Sequence, residues 1–279
     1  ISENTIDEYP SQYLNHIIAK LGNIDLRLLT DSVLNDFVSY LVNNTNLDNG
    51  TRRKIFNVLT NIVQHQVNPP QSKLSKNVCK DKDYMVSVQV VRSKKKPVID
   101  FNTWSLDMVS NLVSDISNTQ VQLITEIMLQ TACRPSEARA LNRNSFKFHL
   151  NIPTILFDKA VKKGKVIGST KTDSGVRTLT ISTSLKDKIQ DYMNTMPVDQ
   201  DYLFLNSRGN FICVEQLISH LDKALAKNGL KLPIKRKSYF FRHYMATYWA
   251  YTKKHKGNAL DLARDLGDKD INFVNENYI

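Results

Sequence analysis

The sequence predicts a two-domain, mainly α chain, in which a helical N-terminal domain is followed by a mixed α/β domain with a small three-stranded antiparallel sheet. Apolar residues recur at helical spacing through residues 1–66. A polar, lysine-rich stretch over residues 67–100 then interrupts the pattern, opening with Asn68-Pro69-Pro70 and closing with Lys94-Lys95-Lys96-Pro97. Over residues 101–279, helical patterns surround three short extended runs separated by turn residues. A chain of 279 residues is long enough for one large domain or two moderate ones.

In chain order, Tyr13, Ile17, Ile18 and Leu21 follow helical spacing and stop at Gly22. Thr30 or Asp31 can cap a second helix whose apolar face is Val33, Leu34, Phe37, Val38, Leu41 and Val42. Asn49-Gly50-Thr51 opens a third, with Ile55, Val58, Leu59, Ile62 and Val63 facing inward. Its first turn carries Arg52, Arg53 and Lys54, where free N–H groups and basic side chains attract the same anion. Residues 67–100 read as a basic interdomain linker with one short strand at 85–91. Beyond it, residues 103–116 and 120–131 are expected to be helical. Thr154–Phe157, Lys165–Gly168 and residues 177–181 are the expected strands, and helices return from Leu185 onward.

Composition narrows the function. Hydrophobic residues make up 41% and charged residues 23%, which excludes global disorder. No run approaches the roughly 18–20 apolar residues that span a bilayer, so no membrane partner is expected. The first ten residues are polar and acidic, unlike a secretory signal, and a start at Ile1 suggests a fragment, a processed form or a trimmed chain. Cys79, Cys133 and Cys213 are too widely spaced for a disulfide framework or zinc finger and fit a reducing cytoplasm. The net charge of +11 points to a polyanion such as nucleic acid. That surplus is uneven. Residues 1–66 carry five basic and seven acidic side chains, and residues 67–100 carry eight and three.

Four segments carry chemistry. In Thr131-Ala132-Cys133-Arg134-Pro135-Ser136-Glu137, an arginine ends an apolar helix and Glu137 follows it by three residues, on the same face. In Ser169-Thr170-Lys171-Thr172-Asp173-Ser174-Gly175, a lysine stands at the tip of an expected hairpin, with Lys162, Lys163 and Lys165 as competitors for its role. In Lys235-Arg236-Lys237-Ser238-Tyr239-Phe240-Phe241-Arg242-His243, an arginine is embedded in an aromatic helix and needs an anion. Leu266-Gly267-Asp268 is the fourth, followed by Asn277-Tyr278-Ile279.

In this order and spacing the segments resemble the tyrosine recombinases, the phage-integrase type. Arg134 and Glu137 match the family's first arginine turn, Lys171 its hairpin lysine, and Arg242-His243 its second-arginine helix. Leu266-Gly267 matches its last turn, and Tyr278 falls where its nucleophile belongs. The resemblance implies a core-binding DNA-binding domain over 1–66 and a catalytic domain over 101–279. It implies cleavage and rejoining of double-stranded DNA at specific sites through a 3′-phosphotyrosyl link, without metal, ATP or other cofactor. It further implies a homotetramer on DNA, accessory DNA-bending proteins, a place on the bacterial nucleoid, and integration or excision of a mobile element or chromosome-dimer resolution, of which the mobile-element role is favoured. Lys94, Lys95, Lys96, Lys235, Arg236 and Lys237 are expected to join Arg52, Arg53 and Lys54 in holding DNA, the linker crossing its backbone while the two domains clamp opposite faces.

Two positions depart from the family. Tyr239 stands where the first histidine belongs and Asp268 where the last one does. His243 does not simply replace the former, because helix neighbours point about 100° apart. Tyr239 could donate a hydrogen bond to a phosphate oxygen. An ionised Asp268 could not, and is expected to orient Arg242 or Lys171 or to face away. A catalytically impaired DNA-binding protein and a type IB topoisomerase are the alternatives. Because only Ile279 follows Tyr278, the segment from about Asp268 onward is expected to be displaced until a neighbour orders it, the alternative being a stable helix through Asn275.

Overall fold

The computed structural model describes residues 11–68, 73–84, 99–148, 152–168, 175–252, 258–268 and 270–279. They divide into two compact units, residues 1–93 and 94–279. The expected strand at 85–91 and the Lys94-Lys95-Lys96 cluster lie outside the described residues.

The first unit is built on helices α1 (Ser11–Leu21), α2 (Asp31–Asn43) and α3 (Asn49–Val67). Thr30 caps α2, and Asp48 caps α3 by accepting from the Thr51 N–H at 3.0 Å. Leu34, Phe37, Val38 and Leu41 of α2 bury against Ile55, Phe56, Val58, Leu59 and Val63 of α3, with Ile17 and Leu21 of α1 closing the core. Ile18, expected inward, is 62% exposed, because the helix turns it about 100° from Ile17 and off the side that Ile17 and Leu21 share.

Residues 73–84, which the sequence presents as linker, pack onto this unit. Asn77 donates to the Thr60 carbonyl at 2.9 Å, and a 3₁₀ turn at Val78–Lys80 buries Cys79. Tyr84 is also buried and donates to Asp31. Lys76, Lys80 and Lys82 bond to Asp81, Gln64 and Asp31. A composition rich in Lys, Ser and Asp reads as a solvated tether, yet one Cys, one Tyr and one Asn at the right places dock it.

The second unit begins with α4 (Leu106–Ser114) and α5 (Thr119–Thr131). Residues 103–105 stay outside α4 because Ser105 caps it, accepting from the Met108 N–H at 3.2 Å. A four-residue helix, α6 (Pro135–Ala138), leads into strands β1 (Phe146–Lys147), β2 (Thr154–Phe157), β3 (Lys159–Lys162), β4 (Lys165–Gly168) and β5 (Arg177–Thr180). Helices α7 (Thr183–Thr195), α8 (Val214–Lys227), α9 (Phe240–Tyr251), α10 (Ala259–Leu266) and α11 (Ile271–Tyr278) complete it. Helices α5 and α9 pack on each other and are buried on most sides, α9 through a largely aromatic and apolar sequence and α5 around all but the stripe of Gln122, Glu126 and Gln130.

A three-stranded antiparallel sheet is present, in the order β1-β2-β5, with Ile155 opposite Leu179. Its membership differs from expectation. Lys165–Gly168 does not belong to it but pairs with β3 in a separate hairpin. Lys163 and Gly164 both adopt positive φ, 48° and 74°, which is the backbone of a tight two-residue hairpin turn. That turn commits β4 to β3, and the two-residue β1 takes the vacant edge.

Candidate active site

The site is assembled where α5, α9 and α10 end or begin against one another in the second unit. Helix α5 stops at Ala132, whose φ of 50° is left-handed. Such a conformation costs a non-glycine residue roughly 1–2 kcal/mol, and it redirects the chain so that Arg134 precedes Pro135 at the start of α6. The Arg134 N–H donates to Glu137 Oε2 at 2.8 Å, and Arg134 Nη1 donates to Oε1 at 2.7 Å.

Arg242, 3% exposed, comes from the buried face of α9. Its Nη1 donates to the Ala132 carbonyl at 2.7 Å, so the strained turn after α5 also fixes the second arginine. Both of its terminal nitrogens lie 3.2 Å from the Leu266 carbonyl.

The third contributor is the end of α10. Gly267 at φ 66° reverses the chain, and the Asp268 N–H bonds back to the Ala263 carbonyl at 2.9 Å. This cap aims the Asp268 side chain at both arginines. Arg242 Nη2 donates to Oδ2 at 2.8 Å, Arg134 Nη2 donates to Oδ1, and Arg134 Nη2 also reaches the Gly267 carbonyl at 3.2 Å.

Sequence reasoning missed Arg177. It is buried at the start of β5, donates to Glu137 Oε2 at 2.8 Å and to the Asp265 carbonyl at 2.8 Å, and lies over the Phe157 ring. The available signal was its alternation with inward-facing Leu179, which marks an arginine on the core side of a strand. Burial pushes the Glu137 carboxyl up, but the charges of Arg177, Arg134 and Arg242 and the Arg177 hydrogen bond outweigh it and hold the pKa at about 2. Three guanidiniums thus share two carboxylates, leaving the cluster one positive charge in surplus.

Tyr278 ends α11 and is 4% exposed. Asp270 caps that helix, and Val274 buries one turn before Tyr278, so the same face docks both. The tail is therefore a seated helix rather than the displaced segment expected from its terminal position: burying Val274 alone contributes about 2 kcal/mol. Burial pushes the Tyr278 hydroxyl pKa up, Arg242 pulls it down, Asp268 raises it, and Arg134 again pulls it down. The His243 ring lies 5.6 Å from that of Tyr278, so the helical rotation that takes His243 off the Tyr239 position sets it beside the tyrosine.

Tyr239 is half-buried, under the guanidinium of Arg236 at 4.7 Å, with its ring 6.3 Å from that of His243. Lys235 and Arg236 are exposed, while Lys237 is paired with Asp222 at 2.6 Å. In the first unit Lys54 is exposed and Arg53 half-buried. Arg52 is spent inside the unit, donating to Asn49 Oδ1 and to the Thr45 carbonyl, each at 3.0 Å. Lys171 lies outside the described residues. Strands β4 and β5, expected to flank it as a hairpin, pair with β3 and β2 instead. No group of side chains among the described residues could hold a metal ion, and no helix among them is long and apolar enough to cross a membrane.

No protein-family model matches the chain, and comparison with curated proteins finds no match. Solved structures do match. The Tn1549 transposon integrase in complex with a circular intermediate DNA superposes with a TM-score of 0.74 at 17% identity, covering 99% of this chain and 90% of that one. The XerH site-specific recombinase bound to its difH substrate gives 0.66 at 17% identity over 95% of this chain and 73% of that one. A lambda integrase dimer bound to a core site gives 0.65 at 12% identity over 99% and 88%. This chain has the fold of the tyrosine recombinases.

Proposed function

We propose that this protein is a site-specific DNA recombinase that cuts and rejoins strands through a phosphotyrosyl intermediate. One observation carries the reading: Arg134, Arg242 and Tyr278, far apart in sequence, converge on one cluster in a fold shared with recombinases solved on DNA. Two fixed guanidiniums suit the non-bridging oxygens of a phosphodiester and strengthen as charge develops on them. Tyr278 Oη attacks phosphorus, its proton passing toward His243 beside it, and the P–O5′ bond breaks. Lys171 is assigned to protonate the departing 5′ oxygen. A 5′ hydroxyl of a second strand then attacks the 3′-phosphotyrosyl link and releases Tyr278, so no energy source is consumed. Tyr239 is assigned a hydrogen bond to the phosphate.

Integration or excision of a mobile element is the role we favour, in line with the transposon integrase among the structural relatives. It would run as a homotetramer on two DNA sites, with accessory bending proteins. Residues 1–66, with residues 73–84 docked on them, are proposed as the core-binding domain, residues 85–100 as what remains of the expected 67–100 basic linker and residues 101–279 as the catalytic domain, with Lys54, Lys94, Lys95, Lys96, Lys235 and Arg236 on DNA. A duplex nicked close to the cleavage site traps the intermediate, because the short 5′ fragment diffuses away. The expected result is a denaturant-resistant protein–DNA adduct that Tyr278→Phe abolishes while duplex binding stays within a few-fold. An adduct that survives in Tyr278→Phe would overturn Tyr278 as nucleophile. Relaxation of supercoils without exchange between two sites would favour the topoisomerase reading.

A further inference from the structure

The proposed phosphate seat already contains an anion, and it is part of the chain. Arg242 has four terminal N–H groups. Three point at the backbone carbonyls of Ala132 and Leu266, and the fourth points at Asp268. Arg134 spends Nη1 on Glu137 and Nη2 on the Gly267 carbonyl and Asp268. Among the described residues, the one acceptor that both guanidiniums share is the Asp268 carboxylate, one oxygen to each. The carbonyls are fixed by helix ends, whereas a carboxylate can rotate away about its own side-chain bonds. The Asp268 side chain also keeps 16% exposure, so it has water to turn into.

We propose that Asp268 is a resident stand-in for the scissile phosphate. It holds the two arginines in a phosphate-accepting fork, and it makes the seat selective for a phosphate that arrives with the rest of a DNA duplex. The inference rests on reading Arg134 and Arg242 as a phosphate site. A carboxylate and a phosphodiester each carry one negative charge and two oxygens able to take one donor from each arginine, so they compete for the same N–H groups. A free anion must displace an intramolecular competitor with nothing else to hold it. A DNA phosphate is held by neighbouring backbone contacts and displaces it readily. The apparent affinity for a free anion falls by the fraction of molecules in which the seat is open.

Inorganic phosphate is the probe, titrated calorimetrically into the full chain at constant ionic strength set with chloride. Asp268→Asn is expected to bind phosphate about 10-fold or more tightly than the wild type. Asp268→Glu, which restores a carboxylate, is expected to stay near the wild type. Arg242→Gln added to Asp268→Asn is expected to remove the gained site. A purely structural role for Asp268 would give no gain in anion affinity. Should Asp268→Asn not fold, Asp268→Ser and the wild-type titration still decide: sub-millimolar phosphate binding by the wild type, lost in Arg242→Gln, overturns the proposal and leaves the phosphate-site reading standing. Phosphate bound by no variant, or a gain that survives Arg242→Gln, overturns that reading and the stand-in with it.

Discussion

Arg134 and Arg242 differ in how firmly they are held, and that difference shapes what their removal does. Arg242 is buried and satisfies carbonyls from two helix ends, whereas Arg134 is about a quarter exposed. On the proposed mechanism, Arg134→Ala and Arg242→Ala each lower adduct formation by about 10² or more, the scale of losing one anion-stabilising donor. Duplex affinity changes far less, because many other phosphate contacts persist. Equal losses in binding and cleavage, measured by gel shift and nicked-duplex trapping, would make them ordinary backbone clamps. Arg242→Ala should also lower stability, since it strands buried carbonyls. Tyr244 is a poor rival nucleophile: burial pushes its pKa up to about 12, and its hydroxyl is spent on the Trp104 carbonyl at 3.1 Å. Glu137 supplies a prediction in pH. Its folded pKa of about 2 lies below its ordinary 4.5, so its stabilisation is complete above pH 4.5 and is lost as pH falls towards 2. The shift amounts to something on the order of 3 kcal/mol. Glu137→Gln should therefore be less stable than the wild type at pH 7, with the gap narrowing steadily in urea melts between pH 4.5 and 2.5. A constant gap would show that the carboxylate charge is not what holds Arg177.

At the scale of elements, the local half of the site was legible and the long-range half was not. Arg134 and Glu137 are three residues apart, and a helical turn brings them together whatever the rest of the chain does. The Arg177–Glu137 pair spans 40 residues and depends on which strands share a sheet. Sheet membership turned on Lys163-Gly164, a turn between two lysine-rich runs of which only the second, Lys165–Gly168, reads as a strand in the sequence. Likewise, Asp268 could be placed beside Arg242 as one of several options, but its bridge to Arg134 required both the α10 cap and the Ala132 turn. Gly267 is where this placement can be tested. At φ 66° an alanine pays about 1 kcal/mol, a small loss of fold stability. The larger consequence is directional: if the cap relaxes, Asp268 no longer meets both guanidiniums. Gly267→Ala should shift thermal stability by a few degrees and lower adduct formation by a much larger factor than so small a shift explains. Loss of activity only in proportion to the unfolded fraction would confine Gly267 to a capping role.

Charge separates the two units at the scale of the whole molecule. Residues 1–93 carry ten Lys and Arg against nine Asp and Glu, and residues 94–279 carry 28 against 18, so nearly the entire surplus belongs to the second unit and its leading lysines. Within the first unit, Lys76, Lys80 and Lys82 already bond to Asp81, Gln64 and Asp31, and Arg52 is committed to Asn49 and Thr45. These are half of its surplus-bearing side chains after Lys20 and Arg27, and they have little left for phosphate. DNA binding should therefore be strongly salt-dependent and governed by the second unit. If six or more phosphates are contacted, affinity falls by about 10³ between 50 and 200 mM salt. Replacing Lys94, Lys95 and Lys96 together with glutamine should flatten the log–log slope by about 2–3, each lysine releasing one counterion equivalent. Replacing Lys76, Lys80 and Lys82 instead should leave the slope nearly unchanged and lower the stability of the first unit, because those ammonium groups are bonded within it. A slope reduced equally by both triple variants would mean that the chain meets DNA along its whole basic stretch, and that the docking of residues 73–84 gives way on binding.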